Sequence, residues 1–82
     1  MITVKFTSRL RLDVGRERDE VEVKSIAELT ALMERRYGEG FTRWLPHCRI
    51  FVNGSSTVML DGPDTALAPG DEVLFLLPVA GG

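Results

Sequence analysis

The chain opens on strict alternation. Ile2, Val4 and Phe6 share one face of an extended segment and Thr3 and Lys5 the other, the period of two that marks a half-buried strand. After a polar stretch holding Asp13, Gly15, Arg16 and Arg18, the run Glu20-Val21-Glu22-Val23-Lys24 alternates again, so the two runs predict a hairpin with a long, charged loop. The period then lengthens to that of a helix. Ser25 with Glu28 three positions on is a capping box, and Ile26, Leu29, Met33 and Tyr37 follow as one apolar stripe. Arg35 and Arg36 complement the helix dipole in the last turn, and Gly38 supplies the stop.

Beyond that helix the signals shorten. Gly40 to Pro46 is expected to form a short helical turn pressing Phe41, Trp44 or Leu45 on the core, and His47 to Val52 reads as a third strand. Asn53-Gly54 is a strong turn dipeptide because both residues tolerate positive φ, and Thr57 to Leu60 is expected to return as a short strand. Asp61-Gly62-Pro63-Asp64 and Ala68-Pro69-Gly70-Asp71 are turn signals, with a single helical turn expected at Thr65, Ala66 and Leu67 between them. The last run, Glu72 to Leu77, is nearly continuous in apolar residues. If Val73, Phe75 and Leu77 point to the core, Leu74 and Leu76 point away from it, and one main helix covers only one face of a sheet. Part of the second face is therefore expected to be exposed and used. The predicted fold is α+β: a mixed sheet of four to five strands with one main helix and a short helical turn, the β-grasp arrangement. It forms one domain over residues 1–77, with a flexible tail at 78–82.

Composition narrows the function. Eighty-two residues with 44% apolar content make one small core, and a chain of this size buries only about 60% of its unfolded surface. A complete enzyme pocket is rare at that size. The single Cys48 rules out an internal disulfide, which makes a reducing, cytoplasmic setting the default. The N-terminal residues lack the apolar stretch of a secretory signal, and the longest apolar run, Val73 to Ala80, falls well short of the roughly 20 residues a membrane helix needs. Neither export nor a membrane partner is expected. A net charge of -2 argues against nucleic acid as a partner. The charge is nonetheless uneven: all ten bases lie between Lys5 and Arg49, while Ile50 onward carries Asp61, Asp64, Asp71 and Glu72 and no base. That asymmetry suggests an acidic C-terminal surface that steers a basic partner.

Catalytic signatures are missing. His47 and Cys48, adjacent in a predicted strand, would face opposite ways, which suits a Cys-His nucleophile pair poorly. One His and one Cys also supply too few ligands for a metal site, so none is expected, nor is a bound cofactor. The distinctive feature is the end, Leu77-Pro78-Val79-Ala80-Gly81-Gly82. Pro78 removes a ladder N–H and ends pairing, after which the residues shrink to two glycines. Five extended residues reach roughly 17 Å, enough to enter another protein's active site, and a backbone without Cβ passes a narrow channel.

With Val52-Asn53-Gly54 before the hairpin, Leu67-Ala68-Pro69-Gly70-Asp71-Glu72-Val73 leading into the last strand, and the Gly-Gly end, the sequence resembles the ubiquitin-like sulfur carriers along essentially its whole length. Within them it is most similar to the small subunit of molybdopterin synthase, with the thiamine-pathway carrier a close relative. The resemblance implies that an adenylyltransferase similar to ubiquitin-activating enzymes uses Mg-ATP to adenylate Gly82. A persulfide sulfur donor then converts Gly82 to a thiocarboxylate. The resemblance further implies that Pro78, Val79, Ala80 and Gly81 form a tail that would enter the large catalytic subunit of molybdopterin synthase, in a heterotetramer, and deliver sulfur to a pterin precursor. On that resemblance Leu74 and Leu76, with Phe51 and Met59, are expected to make the apolar docking patch. The same tail chemistry suits a carrier for thiamine, cysteine, a tungsten cofactor or a thio-acid metabolite, and also a protein modifier that forms isopeptide bonds. A plain interaction module of the same fold would leave the terminus dispensable.

Overall fold

A computed structural model of the chain describes residues 1–78. Strands β1 (Ile2–Phe6), β2 (Arg18–Val21), β3 (Arg49–Val52), β4 (Ser55–Ser56) and β5 (Glu72–Leu76) form one sheet in the order β2-β1-β5-β3-β4. The β1–β5 pair at its centre is parallel and the other pairs are antiparallel, giving the mixed β-grasp sheet that the pattern predicts. The main helix, α2 (Ile26–Tyr37), buries Ile26, Leu29 and Met33 against the inner face, where they meet Ile2, Val4, Phe6, Val73 and Phe75. Phe6, Phe41 and Phe75 close the core with centroids 5.3–6.5 Å apart.

Local chemistry sets the ends of α2. Ser25 Oγ accepts from the Glu28 N–H at 3.2 Å, while the Glu28 carboxylate reaches back to the N–H of Lys24, one residue earlier than an ideal capping box. Gly38 ends the helix at φ 60°, ψ −137°, backbone that favours glycine. A four-residue helix, α3 (Glu39–Thr42), and a 3₁₀ turn at Leu45–His47 follow, with Phe41 fully buried. These are the helical turn expected at 40–46.

Four segments depart from the sequence expectation. The charged stretch after β1 is not a loop: it contains α1 (Ser8–Val14), which buries Leu10 and ends at Gly15 with φ 85°. Leu10 and Val14, one turn apart, were the signal, diluted by the three charged residues of the same helix, Arg9, Arg11 and Asp13. β2 starts two residues early and places Asp19 on the inner face, only 8% exposed. The returning strand is reduced to Ser55–Ser56, because Ser56 Oγ accepts from the Val58 N–H and turns the chain into a 3₁₀ helix at Thr57–Met59. Residues 65–67 are extended rather than helical: the Ile26 N–H donates to Thr65 O and the Leu67 N–H to Lys24 O. The helical turn sits instead at Gly62–Asp64, with Pro63 inside its first turn.

α1 and α3 approach so closely that a Cβ built on Gly40 would lie 2.6 Å from the backbone oxygen of Asp13. Alanine would gain up to about 1 kcal/mol in helix propensity. Relieving a clash with a backbone atom costs about 1–3 kcal/mol, so the clash wins. Gly40→Ala should therefore lower the urea midpoint; an unchanged or higher midpoint would show that the two helices separate freely.

Candidate functional site

The tail predicted to carry the chemistry begins at the end of β5, and a side chain fixes its exit. β1 stops at Phe6, and the next residue, Thr7, takes over the ladder with its hydroxyl: Oγ1 donates to Phe75 O and accepts from the Leu77 N–H, both at 3.0 Å. Leu77 is buried beside Val73 and Phe75, while Pro78 is exposed and has no N–H to continue the pairing. Leu77 is thus anchored by both packing and hydrogen bonding. Val79, Ala80, Gly81 and Gly82 lie outside the described residues. Nothing in the sequence pattern singled out Thr7; its role shows only once β1 and β5 are known to be parallel neighbours.

Strand pairing assembles part of the expected docking patch. Leu74 pairs with Phe51 on one side and Lys5 on the other, Leu76 pairs with Arg49, and Lys5 pairs with Arg18. The partners share the outer face, so Phe51, Leu74 and Leu76 form a half-buried apolar cluster on the uncovered side of the sheet. Met59 does not belong to that sheet cluster. It sits on the 3₁₀ turn past β4, 81% exposed beside Val58 at 86%.

The charges around the patch are the reverse of the sequence expectation. Asp71 and Glu72 lie at the start of β5, at the end opposite the tail. Asp71 closes the turn before β5, accepting from the Ala68 N–H at 2.8 Å and from Asn53 Nδ2 at 3.0 Å. Those bonds, the backbone one foremost, hold its carboxyl below the usual range. Glu72 pairs with Lys5 at 3.4 Å. The residues flanking the tail-side half of the face are Arg18 and Arg49 instead. Chain position misled here because a strand carries consecutive residues from one edge of the domain to the other.

His47 and Cys48 are not strand residues: His47 ends the 3₁₀ turn and Cys48 caps it. Burial pushes the half-buried Cys48 thiol up to about 11. At pH 8 only about one thiol in a thousand is then ionised, against a sizeable fraction for a free cysteine. Iodoacetamide should label native Cys48 on the order of a hundredfold more slowly than the urea-unfolded chain. Equal rates would make Cys48 a candidate sulfur acceptor in place of Gly82.

No helix among the described residues is long and apolar enough to cross a membrane. The sequence profile of the ThiS family matches residues 4–82, nearly the whole chain. Small archaeal modifier protein 3 of Haloferax volcanii is 43% identical over 56 residues, 68% of this chain and 59% of that relative's length. Among solved structures, small archaeal modifier protein 1 of Methanosarcina acetivorans superposes with a TM-score of 0.86 at 21% identity, covering 99% of this chain and 95% of that one. The complex of subunits 1 and 2 of molybdopterin-converting factor from Helicobacter pylori matches at 28% identity with a TM-score of 0.73, covering 99% of this chain and 97% of its counterpart. With the sheet order, the anchored exit of β5 and the profile match in agreement, the chain belongs to the ThiS family, the ubiquitin-like sulfur carriers and modifiers of β-grasp fold.

Proposed function

We propose that the chain is a cytoplasmic sulfur carrier whose Gly82 carboxylate is adenylated and then converted to a thiocarboxylate, serving as the small subunit of molybdopterin synthase. The observation that carries this reading is the family match running through Gly81-Gly82, combined with a domain that ends firmly anchored at Leu77. A carboxylate is a poor electrophile because oxide is a poor leaving group. An adenylyltransferase using Mg-ATP joins a Gly82 oxygen to the α-phosphorus and releases pyrophosphate; a persulfide sulfur then attacks the acyl carbon and AMP departs. A thiol cleaves the resulting S–S bond, leaving the thiocarboxylate on the carrier and a disulfide on the donor side. The carrier contributes no acid or base and holds no cofactor. Its part is to present the end of the chain at a fixed point on the sheet, which converts a diffusing carboxylate into a docked one.

The choice of molybdopterin synthase is supported by the likeness to the Helicobacter pylori complex, in which the partner would be the large subunit of the synthase. Deleting the encoding gene should abolish molybdoenzyme activity in the source organism and leave thiamine and cysteine synthesis intact. A thiamine or cysteine requirement with normal molybdoenzymes would assign the carrier to that pathway instead. The likeness to small archaeal modifier proteins favours a second reading, conjugation to lysines. Incubation with ATP, the activating enzyme and cell extract separates them, since a modifier yields a ladder of heavier covalent adducts and a carrier does not.

A further inference from the structure

The outer face of the sheet is graded along the strands. Its row farthest from the tail holds Glu20, Thr3 and Glu72, the next Arg18, Lys5, Leu74 and Phe51, and the row nearest the tail Leu76 and Arg49. Acids thus occupy the far edge, and the apolar cluster lies between two arginines at the tail side. Lys5 Nζ is held by Glu72, whereas Arg18 and Arg49 are exposed and join no ion pair among the described residues. They stand on strands three apart in the sheet, roughly 15 Å from each other at 4.8 Å per strand, with the leucines between them. Glu17, just before β2, is an acid at this same end.

We infer that this half of the face docks a protein surface that is apolar at its centre and carries carboxylates on both flanks, and that Arg18 and Arg49 set the direction in which the carrier sits. The inference rests on the sulfur-carrier reading and names the chemistry of the partner's docking surface. Apolar contact alone fixes no direction. Two flanking arginines, with acids at the opposite edge, do, because turning the carrier end for end would set Glu20 and Glu72 against the partner's carboxylates. A nucleic acid fits poorly: two free bases around an apolar centre neutralise few phosphates. A second copy fits poorly as well. Packing two faces with their strands in the same direction stacks arginine on arginine, and reversing one lays the leucines over glutamates.

ATP–pyrophosphate exchange by the activating enzyme of the same organism, with the carrier as varied substrate, tests this. Arg18→Glu/Arg49→Glu should raise the KM for the carrier at least tenfold with kcat within twofold, and should flatten the salt dependence of kcat/KM. Lys24→Glu/Arg35→Glu, with the same change in net charge on other surfaces, should stay within twofold. Arg18→Gln/Arg49→Gln serves if the reversed pair melts early, and should fall between the two. Equal effects of the two charge reversals, or no effect of either, overturns the inference and leaves the sulfur-carrier reading standing. A wild-type chain that supports no exchange overturns that reading and the inference with it. Concentration-dependent dimerisation abolished by Arg18→Glu/Arg49→Glu would give the face to a second copy.

Discussion

Deleting Gly82 should abolish ATP-dependent thiocarboxylate formation and leave the melting temperature of the domain where it was. The first half follows from the proposed chemistry, in which the acceptor is one specific carboxylate. A chain ending at Gly81 still has a carboxylate, but it falls about 3.5 Å short, and misplacement by even 1 Å costs on the order of a hundredfold in a positioned reaction. The second half follows from packing: the core closes with Leu77, and Thr7 ties that residue to β1 through the Leu77 N–H. The readouts are the intact mass after loading and a thermal melt. A truncated chain that still gains sulfur would move the acceptor elsewhere, and a large drop in melting temperature would mean that the tail is part of the fold.

The largest effect on stability is expected at Asp19. Its carboxylate is buried on the inner face, where Tyr37 Oη donates at 2.6 Å, Arg36 Nη1 at 2.7 Å and the Glu20 N–H at 2.8 Å, with Arg16 3.4 Å away. Burial alone would raise the Asp19 carboxyl, but hydrogen bonds from Tyr37, Arg36 and Glu20 outweigh it and hold it below the usual range. Charge-assisted bonds of this kind contribute about 1.5–3 kcal/mol each. The bonds share one carboxylate and both arginines can turn to water, so Asp19→Ala should cost about 2–4 kcal/mol and lower the melting temperature by about 10 °C or more. The pH dependence follows from the sign of the shift. A carboxyl depressed in the folded state contributes stability above its unfolded value, near 4. That contribution is lost as pH falls below it through the folded value. Wild type should lose stability across that acid range, and Asp19→Ala should show a flatter profile there. A mutant with unchanged melting temperature, or a parallel acid profile, would contradict the assignment.

Much of the site and its fold was legible in the chain, for identifiable reasons. The α2 stripe and its caps declare themselves through spacing, Asn53-Gly54 through the positive φ of both residues, 50° and 87°, and the two faces of β5 through alternation, which puts Leu74 and Leu76 outside as expected. What escaped were features decided by contacts distant in sequence. α1 hides its helical period because it buries a single residue, Leu10, and Leu12 is left 65% exposed. Asp19 reads as a surface acid until Arg36 and Tyr37 arrive from the end of α2. Thr7 acts across 70 positions on Leu77. The acidic C-terminal third was real as a count and misleading as a place, because β5 carries Glu72 to one edge of the sheet and Leu76 to the other.

The most direct measurement is the intact mass of the chain, with fragment ions to place any change, after co-expression with its activating enzyme and a persulfide donor. A carrier gains the mass difference between one sulfur and one oxygen, confined to the C-terminal fragment containing Gly82, and the gain requires ATP. An unchanged mass under those conditions, or an added sulfur atom on the fragment containing Cys48, would contradict the thiocarboxylate at Gly82.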